Sequence, residues 1–431
     1  MRLCTFATLR SIPLRITTNP AAVLRCRFMG EVSKKRRKLL AGFVGGLGAI
    51  GAADSRPLAP DDPTKLQGPP PSEVGERSPF ETPRRTVMKN EPASSSRTPL
   101  QDLTGVITPS DLHFERHHAG VPNIDPERYT LLIHGLVERP TIFTLADLKR
   151  FPSVSRLLFL ECSGNGGEAL RDPKGDLTPQ DIDGLTSVSE WTGVPLALLF
   201  REVGALPESR WFLAEGSDAS VMTRSIPMGK AWDDAMIVYA QNGEALRPET
   251  GYPARLLLPG WEGNANVKWI RRLELAERPF FTREETSKYS DPLPGGKTRM
   301  FSFEMDAKSI ITFPAYPTKL ASRGYWEVTG IAWSGRGRIT RVELSVDGGS
   351  SWMDAELQEP LLPKCHTRFR KLWNWQGEPA TLVSRATDET GYTQPTREDF
   401  LAVRGADTRY HFNHLRAWKV NRDGSVEFAL A

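Results

Sequence analysis

Cys162 closes the apolar run Leu157-Leu158-Phe159-Leu160 and is followed by Ser163-Gly164-Asn165-Gly166-Gly167. The run reads as a short buried strand, and the glycines mark its end in a turn. A thiol at such a junction can be reached by a bulky ligand, because glycine lets backbone approach where a side chain would clash. Asn165 suits a left-handed turn position or a side-chain hydrogen bond in the same turn. A thiolate is a soft metal ligand, whereas a lone cysteine in apolar company can equally be a small packing group. Other segments bring cations, acceptors and protons. They are Phe114-Glu115-Arg116-His117-His118, Asp218 in Glu215-Gly216-Ser217-Asp218, Arg255, Asn266-Val267-Lys268 and Tyr289. A guanidinium offers an oxyanion a planar fork of donors, and an ionised carboxylate such as Asp218 only accepts. Plainer readings stand beside these: a surface cluster for 114–118, a turn former for Asp218 and a buried strand for 256–258.

The elements that must hold these residues are strand-like runs at residues 129–133, 157–160, 211–214, 235–239 and 254–258. Helical patterns lie at 145–150 and 195–203. Turn signals such as Asn242-Gly243 separate them, without the regular strand–helix alternation of a doubly wound sheet. The fold class expected is α+β, with a mixed domain over residues 103–299. An all-β domain follows over residues 300–431. There, 325–333 and 339–346 alternate in the strand period, Asp347-Gly348-Gly349 turns the chain, and the spacing suits an immunoglobulin-like sandwich.

Ahead of these domains the chain changes character. Residues 1–53 hold ten Lys/Arg against one acid, Glu31, so a formal charge of +4 for the whole conceals a mildly acidic body. That distribution gives no footprint for nucleic acid. Ser33-Lys34-Lys35-Arg36-Arg37-Lys38 followed by an apolar stretch at 39–53 reads as an export signal of the twin-arginine type, with Met29 as a true start. The stretch is shorter than the roughly 20 residues a membrane span needs. Gly46-Leu47-Gly48-Ala49-Ile50-Gly51 matches a dinucleotide fingerprint, but proline-rich sequence stands where its helix should be. Residues 54–102, with Pro69-Pro70-Pro71 and Ser94-Ser95-Ser96, read as a linker or extended arm. Outside the leader only Cys162 and Cys365 remain, which excludes a disulfide framework, and no Cys-x-x-Cys-His offers a haem attachment.

Taken together, Cys162-Ser163-Gly164-Asn165, the segment 114–118, Glu215-Gly216-Ser217-Asp218 and the block Thr250-Gly251-Tyr252-Pro253-Ala254-Arg255 through Pro259-Gly260 to Val267-Lys268-Trp269 resemble the sulfite oxidase family of molybdopterin enzymes. The segment from Val328 to Trp352 resembles that family's dimerisation domain. The resemblance implies a molybdenum–molybdopterin cofactor with Cys162 as the metal ligand. It implies cofactor contacts from Phe114, Glu115, Arg116, His117, His118, Asp218, Arg255, Asn266, Val267 and Lys268, and catalytic roles for Arg116 and Tyr289, with Tyr316 as a weaker competitor for the tyrosine. Thr250 replaces a family histidine, which bears on a contact with the cofactor phosphate, and two departures bear on substrate, the first being Gly167 in place of an arginine that sulfite-oxidising relatives often carry. A further C-terminal arginine of the family has no clear counterpart, Arg409 and His411 being the candidates. Within the family the resemblance is to the branch that oxidises sulfane sulfur. That implies a periplasmic homodimer taking a sulfur-carrier protein as substrate and passing electrons to a c-type cytochrome subunit, with no haem of its own. The rival within this chemistry is oxidation of free sulfite to sulfate; the rival outside it is a cofactor-free binding protein.

Overall fold

A computed structural model describes residues 67–293 and 295–431; the expected export signal lies outside the described residues. From Arg77 to Ala431 the chain forms one unit, whose first part carries two five-stranded sheets. The first has the order Glu244–Ala245, Met236–Gln241, Thr186–Pro195, Val154–Glu161, with Arg255–Leu257 also pairing Met236–Gln241. In the second, Thr141–Thr144, Thr130–Gly135, Ile270–Ala276, Trp211–Gly216 and Thr223–Pro227 lie side by side, and the Thr130–Gly135 and Ile270–Ala276 pair is parallel. Short helices connect them, among them Leu145–Arg150 and Leu196–Glu202, the former opened by a capping box between Thr144 and Asp147. The strand Val154–Glu161 is exposed at Ser155 and Arg156 and buried over its last four residues. That is why Leu158-Phe159-Leu160 is an apolar run, which ends at the buried Glu161.

The second part is a sandwich of two antiparallel sheets. One contains Lys308–Phe313, Gly324–Trp333, Thr367–Trp375 and Glu356–Gln358; the other contains Met353–Asp354, Ile339–Ser345, Ala380–Asp388, Arg416–Val420 and Val426–Leu430. Trp333, Phe369 and Ile310 from one sheet meet Trp418, Val342 and Leu382 from the other in a shared core. Phe159, Ile182 and Val188 of the first part join the same core, so the sandwich buries its end against the strand that leads to Cys162. Burial of this kind is the main stabilising term of such a fold.

The expectation of an unpacked arm through residue 102 fails at its C-terminal end. Thr86–Asn90 pairs with Ala93–Arg97, which pairs in turn with Glu115–His117. Ser96, Thr98 and Leu100 are buried. The serines that looked like low complexity are strand residues opposite the histidine segment: Ser94 faces His117, Ser95 faces Arg116 and Ser96 faces Glu115.

Candidate active site

The residues to which the resemblance gives cofactor or catalytic roles line a single cleft, whereas the lesser candidates Tyr316, Arg409 and His411 do not. Cys162 stands with Phe114, Glu115, Arg116, His117, His118, Asp218, Arg255, Asn266, Val267, Lys268 and Tyr289 around about 730 Å³ of space, counting its open mouth. The short strand Glu115–His117 forms one wall. The segment after Arg255–Leu257 forms another, and the Cys162 turn lies on the floor. His113, Met222, Glu249, Asn264 and Trp269 line the cleft as well. The sequence pointed to none of these five, although Asn264 and Trp269 lie inside its most specific block.

Cys162 is half-buried. Its N–H donates to the Leu185 carbonyl at 3.0 Å, and its carbonyl accepts from the Asn165 N–H at 2.9 Å. Gly166 takes a φ of 89°, which a side chain would strain. Burial pushes the free thiol up, with Arg116 and the Gly164 amide opposing, so binding a metal here must release a proton. Beneath it, Ser163 Oγ accepts from Asn264 Nδ2 at 3.0 Å, and the same amide donates to Glu262 Oε2 at 2.8 Å. Glu262 is fully enclosed. Although burial opposes it, Arg224 at 3.0 Å and His411 at 3.3 Å hold its carboxyl below the usual range.

Three cations converge on this space. Arg255 is buried, donates to the carbonyls of Thr250 at 2.8 Å and Asn266 at 2.9 Å, and burial lowers it to about 9. Lys268 donates to the carbonyls of Arg116 at 3.2 Å and Glu249 at 3.0 Å, meets His117 Nδ1 at 2.8 Å and lies 4.3 Å from the centre of the Trp269 ring. Burial first, then the neighbouring Arg255, pushes its pKa well below the usual lysine range. Arg116 donates to the His117 carbonyl and lowers His118 further after burial, to about 4, so His118 is neutral at pH 7. His118 Nε2 and the Tyr289 hydroxyl are 2.8 Å apart, and burial raises the phenol well above its ordinary value.

Some of the chosen residues shape the cleft from within the chain. The side chain of Asn266 accepts from the Leu258 N–H and donates to the carbonyls of Trp261 and Glu262, so it fixes the loop and leaves no donor for a ligand. Asp218 accepts from the Met222 N–H and from Ser220 Oγ, the turn-forming reading, while still lining the cleft. Glu115 is paired with Arg85 and His117. Thr250, at the family's histidine position, holds Arg255 through its carbonyl. Tyr316 packs against the sandwich core and is no rival to Tyr289. Arg409 is exposed, whereas the His411 N–H donates to the Ser163 carbonyl at 2.7 Å, which brings the C-terminal segment against the cysteine turn.

Residues 118–283 match the oxidoreductase molybdopterin binding domain, and residues 299–417 match the Mo-co oxidoreductase dimerisation domain. The chain belongs to the sulfite oxidase family of molybdopterin oxidoreductases. More particularly, it is similar to the crystal structure of the sulfane dehydrogenase SoxCD from Paracoccus pantotrophus. The identity is 43%, the TM-score is 0.79, and 85% of this chain and 98% of that one are covered. It is also similar to NADH nitrate reductase from Solanum lycopersicum, 32% identical over 70% of this chain. Mitochondrial sulfite oxidase from Mus musculus is 28% identical over 74% of it. The chain spans 38% of that nitrate reductase and 62% of that sulfite oxidase.

The residues present fit a molybdenum–pterin cofactor. Three buried or half-buried cations suit an anionic, phosphate-bearing group, and Cys162 supplies a soft ligand beside them. Arg255 Nε and Asn264 Oδ1, both on residues that line the cleft, are buried without a partner. Among the described residues no three His, Cys, Asp or Glu side chains converge on one point. A metal in this cleft would therefore take most of its ligands from the cofactor. Among the described residues no helix is long and apolar enough to cross a membrane.

Proposed function

We propose that this molybdopterin oxidoreductase oxidises sulfane sulfur carried on a protein cysteine and hands the electrons, one at a time, to a c-type cytochrome subunit in the periplasm. The observation that carries the reading is the meeting of Cys162 with Arg116, Arg255 and Lys268 in one cleft. When bound, the cofactor supplies two-electron oxygen-atom transfer with water as the oxygen source. Cys162 holds the metal as a thiolate. Arg255 and Lys268 bind the phosphate and pterin end, where their burial makes each charge count for more than it would in water. Arg116 presents its guanidinium beside the thiol, where it can hold the oxyanion of a sulfur substrate.

Tyr289 and neutral His118 form a hydrogen-bonded pair at the same wall, able to hold or relay one proton at the Tyr289 hydroxyl. Gly167, at the position where sulfite-oxidising relatives often carry arginine, brings no cation. The Arg171 guanidinium fills the space a side chain at 167 would take, so the preference for carrier-bound sulfur is supported by the likeness to the sulfane dehydrogenase and not by an opening at this position. The dimerisation-domain match supports a homodimer, and the leader supports export of the folded protein by the twin-arginine route.

Turnover decides between substrates. The purified protein is assayed with sulfite and with a carrier protein bearing a persulfidic or thiosulfonate cysteine, using cytochrome c as acceptor. Faster oxidation of the carrier-bound sulfur supports the proposal. Efficient sulfite oxidation with no response to the carrier overturns it in favour of a free sulfite dehydrogenase. No turnover and no molybdenum would leave only a binding protein.

A further inference from the structure

The turn Cys162-Ser163-Gly164-Asn165-Gly166-Gly167 is tied through its backbone to Leu185, Ile182 and His411, and its side chains add a second set of ties. Three of its six residues are glycine, which favours backbone freedom, and its polar side-chain anchors are Ser163 and Asn165. Asn165 Oδ1 accepts from the Leu185 N–H at 2.9 Å, and its Nδ2 donates to Glu161 Oε1 at 3.0 Å. Glu161, the residue before the cysteine, is fully buried, and both its oxygens are also claimed from the sandwich. Lys308 Nζ donates to Oε1 at 2.6 Å, and Trp333 Nε1 donates to Oε2 at 2.7 Å. Lys308 reaches the turn directly through the Asn165 carbonyl at 3.3 Å, and it meets Asp183 at 3.4 Å. Asp183 lies 3.3 Å from Arg416, which comes from another sandwich strand.

Glu161 and Asp183 belong to the cofactor-binding part, Lys308, Trp333 and Arg416 to the sandwich, and each is at most 1% exposed. A buried ion pair usually adds little net stability over an apolar pair of the same volume, because desolvating the charges offsets their attraction. What it adds is geometry: directional bonds that admit one arrangement of the groups joined.

We propose that Lys308 and Trp333 are positioning residues for Cys162: through Glu161 and Asn165 the sandwich sets the shape of the turn that presents the thiol. The second part of the chain then does more than offer a surface to another copy, because a strand at its beginning and a tryptophan in its core complete the site. The functional weight of this rests on the reading of Cys162 as the metal ligand, but the physical claim concerns the chain's own turn.

The test uses the full chain made in cells that lack the pterin, with alkylation of Cys162 by iodoacetamide followed on its own peptide by mass spectrometry across a pH series. Hydrogen exchange is measured over the same peptide. The variants are Glu161→Gln with Lys308→Met, which removes the pair together and strands no charge, and Trp333→Phe, which removes one bond. Lys308→Arg is the conservative control. Loss of a charge-assisted bond should speed both alkylation and exchange about tenfold in the double variant, with a smaller gain in Trp333→Phe. The pH at which alkylation is half-maximal should also shift, and Lys308→Arg should restore wild-type behaviour.

Rates within about twofold of wild type in a folded double variant would overturn the proposal. Should that variant fail to fold, unchanged rates in folded Trp333→Phe would do the same. The readouts involve no cofactor, so this result stands apart from whether Cys162 binds molybdenum, which the loss of the metal's thiolate spectroscopic signature in Cys162→Ser reports.

Discussion

Replacing Lys268 by methionine separates what the cleft does for the fold from what it does for a cofactor. The ammonium has three polar partners, two carbonyls and one imidazole nitrogen, none of them anionic. It is buried deeply enough that burial, with Arg255 beside it, pushes its pKa well below 10.5. Glu115 and Asp218 lie near enough to favour the charge but do not offset its burial, so such a group costs free energy in the empty protein. It recovers that cost when an anion arrives, as a charge-assisted hydrogen bond contributing about 1.5–3 kcal/mol. At 1.36 kcal/mol per decade, Lys268→Met should weaken cofactor binding by roughly 10- to 150-fold. The empty protein should melt no earlier than wild type, since a desolvated charge has been replaced by an apolar chain of similar length. Molybdenum per chain after prolonged dialysis, read beside thermal melting of cofactor-free protein, tests both halves. Wild-type molybdenum retention would refute the reasoning, as would an empty variant that melts far below wild type.

Other outcomes follow from the same geometry. Tyr289→Phe removes the hydroxyl that pairs with His118; molybdenum content should hold while kcat falls by about a hundredfold, and an unchanged kcat would remove the tyrosine from the chemistry. Gly263→Ala places a methyl 2.8 Å from the Glu161 carbonyl oxygen and 3.3 Å from Cys162 Cα. It should cost about 1–3 kcal/mol and lower metal content, and a fully loaded, wild-type-stable variant would contradict the tight packing under the turn. His366, stacked on Phe159 and bonded to Thr186, is lowered by burial from 6.5 to about 3. The unfolded chain therefore takes up this proton first as pH falls, and stability is lost from about pH 6.5 down towards 3 at ~1.4 kcal/mol per unit. Denaturant melts at pH 7 and 5 should show a shallower acid loss in His366→Asn than in wild type; identical slopes would show that the ring is not buried neutral.

Much of this architecture could be read from residue patterns. The apolar run ahead of Cys162 is a strand because both its faces are covered, and the alternating stretch at 325–333 became Gly324–Trp333 at the heart of the sandwich. The site residues were legible because thiol, guanidinium and ammonium groups sit in segments of distinctive order, and the fold brings those segments together. The paired strands of residues 86–97 were missed because their partner is the histidine segment beyond a turn and two short helical pieces, and polar serines give no apolar period. The groups behind the cysteine were missed for a related reason. Glu161 and Glu262 look like surface carboxylates in the sequence, and only Lys308, Trp333, Arg224 and His411, from 38 to 172 residues further along or earlier in the chain, make their burial possible.

The central claim is that the Cys162 sulfur carries the metal. Protein exported by a cell that makes the pterin should contain about one molybdenum per chain, and Cys162→Ser should lose the metal's thiolate spectroscopic signature and its turnover while melting close to wild type. A Cys162→Ser protein that keeps both the signature and the turnover would contradict the account.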